Sequence, residues 1–171
     1  MKRRSFIVCH AGLAALAASP LAIRLAAAQG GEAAADSPAQ TRTAVPAPSG
    51  ELLFRAVSLI GTRYRYGGDS PETGFDCSGF VRYLFRDVLG RDLPRSANEI
   101  WQFGQAVERA TLQAGDLVFY NTLRRPFSHV GVFLGDHKFI HAPSFGGVVR
   151  SESMNEHYWQ RRWNGAKRIE A

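Results

Sequence analysis

The 171-residue chain has only two cysteines, Cys9 and Cys77, and the first lies in a stretch that reads as an export signal. A mature domain with one thiol has no internal disulfide, so its core alone has to hold it. The C-x-x-C and H-E-x-x-H spacings that mark common zinc sites are missing, and so is a Gly-rich phosphate loop. There is no internal repeat and no second apolar segment of membrane-spanning length. These absences exclude a disulfide scaffold, a P-loop nucleotide site and a multi-span membrane protein, and they count against a zinc module.

Residues 1–28 combine Lys2, Arg3 and Arg4 with a mainly apolar run from Ala11 to Leu25, then Ala26-Ala27-Ala28 as an A-x-A cleavage site ahead of Gln29. Arg3-Arg4 followed by Ser5-Phe6-Ile7 fits the twin-arginine route, with folding before export. Pro20 and Arg24 interrupt the apolar run, and a general secretory signal is the alternative. Cys9 precedes that run and follows bulky Val8, which is not the setting of a lipoprotein cysteine; it is expected to leave with the signal. Four of the 21 basic side chains and none of the 15 acidic ones lie in this segment, so the mature chain carries 17 against 15, a formal charge of +2. That balance gives no electrostatic case for nucleic acid as a partner. No stable membrane insertion is expected after signal removal, and no oligomeric state follows from the sequence.

Residues 29–49 are mostly Ala, Gly, Pro, Ser, Thr and Gln with scattered charges and no aromatic residue. Such a composition cannot bury enough surface to fold and reads as a disordered linker. Residues 50–171 then make one domain of about 120 residues, long enough for a single core.

The first half of that domain has a helical period. Leu52, Ala56, Leu59 and Ile60 share a face of a helix expected over residues 51–60, with Gly61 as its stop. A loop from Thr62 leads into Gly74-Phe75-Asp76-Cys77-Ser78-Gly79-Phe80. From Cys77 onward, Phe80, Val81, Leu84, Phe85, Val88 and Leu89 form one apolar stripe, with Arg82, Arg86 and Asp87 on the other face. Asp76 is an N-cap type, which places Cys77 at the first helical position, where free N–H groups and the helix dipole favour a thiolate. A lone cysteine is by default a small core hydrophobe. In an oxidising compartment an unpaired thiol needs a reason, and catalysis is one, against inert burial or an intermolecular bridge. Ser96 and Glu99 then show capping-box spacing ahead of a short helix ending near Phe103.

Beyond this the period falls to two. Asp116–Tyr120, His129–Leu134, Lys138–His141 and Gly147–Arg150 read as strands with short connections, hence an antiparallel sheet. Helices followed by such a sheet make an α+β domain. Within His129–Leu134, Val130, Val132 and Leu134 face one side while His129, Gly131 and Phe133 face the other. A three-residue loop at Gly135-Asp136-His137 sets Gly131 opposite His141 and both histidines on one face; a two-residue loop sets them on opposite faces. The tail, Ser153 to Trp163, reads as a packing helix with a basic, solvated face or, alternatively, as a binding patch.

Together these residues can form a nucleophilic triad: Cys77 attacks, His129 takes its proton and later gives it to a leaving amine, and His141 orients His129. Two surface histidines without a role are the plain alternative. A zinc site from His129, His141 and a further ligand is another, weakened by the missing spacings. No metal or other cofactor is predicted.

Six stretches carry a resemblance: Tyr64-Arg65-Tyr66-Gly67-Gly68, Asp76-Cys77-Ser78-Gly79-Phe80, Leu93-Pro94-Arg95-Ser96, Gly115-Asp116-Leu117-Val118, Ser128-His129-Val130-Gly131-Val132 and Phe139-Ile140-His141-Ala142. In order and together they resemble the successive motifs of the NlpC family of bacterial cell-wall cysteine peptidases, over nearly all of residues 51–170. The resemblance implies a circularly rearranged papain-like fold, with N-terminal helices packed on an antiparallel sheet. It implies Cys77 as nucleophile, His129 as base and His141 as third member. Tyr64 matches a tyrosine whose hydroxyl reaches the site to stabilise the oxyanion or hold substrate. The Cys77 backbone N–H is a natural oxyanion donor. Asp76 and Ser78 flank the nucleophile and are candidates for binding the peptide, with helix capping as the alternative for Asp76. The implied substrate is a stem peptide or cross-link of peptidoglycan, in the periplasm or cell envelope. The tail is similar to that of members that cut D-alanine–diaminopimelate cross-links, which favours a DD-endopeptidase over a γ-D-glutamyl one. An amidase or acyltransferase on the same scaffold, or a non-catalytic murein-binding protein, are the rival readings.

Overall fold

The computed structural model describes residues 47–170 apart from 145 and 146. The export signal expected over 1–28, and the expected linker up to residue 46, lie outside the described residues.

Helix α1 spans Ala47–Ser58 and so takes in three residues read as linker from their composition. Their neighbourhood is tertiary: Ser49 lies beside Gly115 and Asp116, which a local reading of the segment cannot register. Leu52, Ala56 and Leu59 are buried as their spacing implies, but Ile60 is 49% exposed. After Ser58 the chain tightens into three-residue turns, Leu59 N–H to Ala56 O and Ile60 N–H to Val57 O, which swing Ile60 off the apolar face.

Two short strands, β1 (Asp69–Ser70) and β2 (Gly74–Phe75), form a small antiparallel hairpin ahead of α2 (Cys77–Leu89). Asp76 caps α2 by accepting the Gly79 N–H at 2.7 Å. Gly90, in a left-handed conformation at φ 63°, ends it by donating to Arg86 O. Phe80, Val81, Leu84 and Phe85 are buried as predicted, against α1 on one side and the sheet on the other. Leu84 is fully buried in this cluster. Leu84→Ala should therefore cost about 2–5 kcal/mol in a denaturant titration of residues 47–171; a loss below about 0.5 kcal/mol would mean that this face is not packed as described. Helix α3 (Ala97–Ile100) opens with the full capping box of Ser96 and Glu99 and stops short of the expected Phe103.

The remaining strands build one antiparallel sheet: β3 (Gln105–Val107), β4 (Leu117–Tyr120), β5 (His129–Gly135), β6 (Lys138–His141), β7 (Arg150–Ser153) and β8 (Trp163–Arg168), in the order β3-β8-β4-β5-β6-β7. This is the α+β arrangement predicted, with α1 and α2 on one face, but three strands differ from expectation. The strand read at residues 147–150 lies later, at Arg150–Ser153, and Val148 makes only an isolated bridge to Arg63. The tail is helical only in α4 (His157–Gln160) and then becomes β8, an interior strand of the sheet. Neither β8, Trp-Asn-Gly-Ala-Lys-Arg, nor β3 has apolar alternation, because partner strands rather than their own side chains settle their state.

Both faces of the sheet are covered. Leu117, Phe119, Val130, Val132 and Ile140 join the helices; Val118, Tyr120, Phe133 and Phe139 pack with Met154 and Trp159 on the other side. The β5–β6 connection decides which face the two histidines share. Asp136 and His137, at φ 47° and 56°, form a two-residue turn of the type that matches strand twist. Leu134 bulges between the pairs Phe133–Phe139 and Gly135–Lys138. The extra residue restores the parity that a two-residue turn alone would reverse, so Val132 opposes Ile140 and both histidines face the second cluster. Among the described residues no helix is long and apolar enough to cross a membrane.

Candidate active site

Cys77 occupies the first position of α2, held there by a dense brace around Asp76. The Asp76 carboxylate accepts from the Gly79 N–H (2.7 Å), the Gly67 N–H (3.0 Å), Ser78 Oγ (3.2 Å) and both terminal nitrogens of Arg95 (3.0 and 2.6 Å). A carboxylate has about four lone-pair sites, and these contacts use them all. The geometry of Asp76 is that of a cap and brace, with no oxygen left open to a peptide. Ser78 is likewise engaged, donating to Asp76 and accepting from Arg95 at 3.0 Å. Arg95, given no part by the sequence reading beyond its motif, is the side chain that ties this start of α2 to the segment before α3. Gly79 makes the close approach possible, since a β-carbon there would meet Gly68 O at 2.0 Å.

Burial, and then the charge of Asp76, push the Cys77 thiol up to about 11, against the opposing pull of the Val130, Ser78 and Cys77 backbone N–H groups. The helix start does favour a thiolate, as expected from sequence, but desolvation outweighs it and the resting thiol is protonated. Tyr64 lies in the same cleft as Cys77, Asp76, Ser78 and Arg95. Its phenol is raised by burial and then by the neighbouring Cys77 and Asp76.

His129 and His141 meet directly. His129 Nε2 and His141 Nδ1 are 2.7 Å apart, with the rings at 89°. Both are buried. The indole of Trp159 stacks on His129 at 5.7 Å and 24° and stands edge-on to His141. Gly131 leaves the room this needs, because a β-carbon at that position would lie 2.7 Å from the Phe139 ring and 3.1 Å from His141 Cβ. The facing nitrogens are within hydrogen-bond distance of each other, and among the described residues there is no group of three His, Cys, Asp or Glu that could hold a metal. Burial lowers both imidazoles; at His129 the neighbouring His141 adds to it, while Glu152 opposes it. Both rings are therefore neutral at neutral pH.

Cys77 forms no hydrogen bond with either imidazole. It packs against the cluster that includes Val130, one residue from His129, and the Val130 N–H is among the groups that lower its pKa. Catalytic hydrogen bonds of this kind are often long in the free enzyme and tighten when substrate is bound. Two depressions flank this junction and share Leu123: one holds Cys77, Tyr64 and Arg95, the other His129, Arg150, Glu152 and Trp159.

Glu152 is the site residue the sequence reading missed. Its Oε1 lies 3.5 Å from His141 Nε2 and accepts from Arg150, while Oε2 accepts from the indole N–H of Trp159. In the sequence it is one acid between two serines, and only the pairing of β7 with β6 brings it to the histidines.

The model of the NlpC/P60 family matches residues 61–168. The murein DD-endopeptidase MepH of Escherichia coli is 44% identical over 120 residues, which are 68% of this chain and 44% of that protein. The murein DD-endopeptidase MepS/murein LD-carboxypeptidase of the same species is 46% identical over 109 residues, 64% of this chain and 56% of that one. The chain thus spans about half the length of these curated relatives. Among solved structures, the NlpC/p60 domain of the peptidoglycan hydrolase SagA superposes with a TM-score of 0.62 at 32% identity, over 71% of this chain and 98% of that domain. A match that runs from just after α1 through β8, with the fold to go with it, means that the chain belongs to the NlpC/P60 family.

Proposed function

We propose that this protein is an exported cysteine endopeptidase that hydrolyses peptide bonds in peptidoglycan stem peptides or cross-links. The observation that carries the reading is the hydrogen-bonded His129–His141 pair beside the helix start that bears Cys77, in a member of this family. With a protonated thiol and a neutral imidazole at rest, the proton passes from Sγ to His129 as sulfur attacks the carbonyl carbon. The Cys77 N–H, which has no acceptor within the helix, and the Tyr64 hydroxyl stabilise the oxyanion. His129 then protonates the departing amine, leaving a thioester, and the same imidazole draws a proton from the water that hydrolyses it. Asp76, Ser78 and Arg95 hold the nucleophile in place. No part of this cycle requires a cofactor.

The relatives' names include both DD-endopeptidase and LD-carboxypeptidase. The DD reading is preferred here because the tail of this chain, now seen to carry Trp159 into the site, is the segment that is similar to members cutting D-alanine–diaminopimelate cross-links. Action on murein places the protein in the periplasm or cell envelope, reached by a signal over residues 1–28, with residues 29–46 as linker before the catalytic domain. The test is digestion of cross-linked sacculi by the mature protein and by Cys77→Ala, with muropeptides identified by mass. Dimers converted to monomers by the wild type alone support the endopeptidase; loss of terminal residues without loss of dimers points to a carboxypeptidase; intact sacculi in both arms refute the reading.

A further inference from the structure

His141 presents an unusual accounting problem. It is fully buried, its Nδ1 is taken by His129, and its Nε2 has no partner at ordinary hydrogen-bond geometry. A buried N–H aimed at nothing is costly. The group it does face is the Glu152 carboxylate, at 3.5 Å. Register puts it there: Arg150 pairs with His141 and Glu152 with Phe139, on the sheet face that carries both histidines.

We propose that Glu152 is a positioning residue of this site, which selects through His141 the tautomer in which His129 offers a bare Nδ1 to the Cys77 thiol. The proposal rests on His129 as the base and adds the device that sets its protonation. Burial alone would raise the Glu152 carboxyl, but the facing His141, together with hydrogen bonds from Arg150 and Trp159, holds it down at about 2. An ionised carboxylate only accepts. The His141 nitrogen facing it therefore carries the proton, and neutral His141 has one N–H, so its Nδ1 is an acceptor. His129 Nε2 must then be the donor across the 2.7 Å contact, and neutral His129 is left with its lone pair on Nδ1. One negative charge thus fixes two tautomers in series. Trp159 clamps both ends, donating to Glu152 while its ring stacks on His129. When His129 becomes an imidazolium, the fixed charge of Glu152 opposes the desolvation that otherwise disfavours it.

The groups facing Glu152 are His141 from β6, Arg150 on its own strand, Trp159 from α4, His129 from β5 and the Tyr120 phenol from β4; Glu156 lines the same depression. The experiment is long-range proton–nitrogen NMR of the mature protein with labelled histidine at pH 7, for wild type, Glu152→Gln and Glu152→Ala, alongside kcat and KM for muropeptide dimers. The wild type should show Nε2–H tautomers at both His129 and His141. Glu152→Ala should give a tautomer mixture at His141 and a kcat lower by on the order of 10- to 100-fold, the range for outer partners that orient a histidine, with KM little changed. Glu152→Gln keeps one acceptor oxygen and should recover part of the tautomer and of kcat, which a merely structural role would not predict; it also serves if the alanine variant does not fold. Unchanged tautomers in a folded Glu152→Ala protein, a Glu152→Gln protein no nearer the wild type than Glu152→Ala in tautomer and kcat, or altered tautomers with unchanged kcat in either variant overturn the proposal. The tautomer measurement needs no substrate, so a wild type inactive on murein but with Glu152-dependent tautomers supports this assignment and refutes only the substrate reading.

Discussion

Replacing His129 with alanine should lower kcat/KM on cross-linked muropeptides by about 10²- to 10⁴-fold, the usual contribution of a positioned general acid–base. The loss should fall on kcat, because in the proposed cycle the imidazole moves protons in both half-reactions while the two depressions keep their other walls. A protonated thiol makes the dependence steep: with no preformed thiolate, each acylation needs His129 to take the proton. The double variant Cys77→Ala/His129→Ala should be no worse than Cys77→Ala alone, since the two groups act as a unit. Steady-state kinetics on a purified dimer measures both. A His129→Ala enzyme with more than a tenth of wild-type kcat would remove His129 from the base role.

The second large effect is the pH dependence of Cys77 alkylation. With the proposed signal over residues 1–28 removed, and Cys9 with it, Cys77 is the only thiol left, so iodoacetamide uptake by that chain reports on it alone. A thiol whose pKa lies at about 11 is almost wholly protonated at pH 7, and its alkylation rate should rise about tenfold per pH unit, roughly 1,000-fold from pH 7 to pH 10. His129→Ala should leave this curve nearly unchanged, because the neutral imidazole does not charge the thiol at rest. A rate already on a plateau at pH 5–7, and lost in His129→Ala, would instead show a standing thiolate–imidazolium pair. The shift also has a consequence for stability. The folded pKa is above the value of about 8.5 for an unfolded cysteine, so the unfolded chain loses its proton first and stability falls as pH rises from about 8.5 toward 11. Glu152 acts at the other end: its folded pKa is depressed, so its contribution is present above about pH 4.3 and is lost as pH falls toward 2.

Much of the site can be read from the chain because its key devices are local. The Asp76 cap, the placement of Cys77 at the first helical position and the apolar stripe from Phe80 to Leu89 involve residues within a few turns of one another. The alternation in His129–Leu134 likewise identifies which side chains share a face. The histidine pairing is less direct. Sequence reasoning makes it conditional on a three-residue loop, and the chain reaches the same parity with a two-residue turn and a bulge at Leu134. Residue types at the tip permit either solution, and twist together with packing of the strand on the core chooses between them. Strand β8 and the true position of β7 escape local reading altogether, because their residues are polar or small and gain their conformation from neighbours far away in the chain.

The sequence by itself therefore determines the helix that presents Cys77, the order of helices before sheet, and the candidates His129 and His141. Tertiary structure decides how those groups are charged and oriented: it half-buries Cys77 at the wall of a cleft, where desolvation of the thiolate overrides the helix start, and fills the lone pairs of Asp76 with Arg95, Ser78 and backbone N–H groups. It also carries Glu152 across a strand pair to the far side of His141. The division follows the range of the forces involved. Capping and periodicity act within a turn or along one strand, whereas burial and cross-strand proximity depend on which distant segments come to pack around an atom.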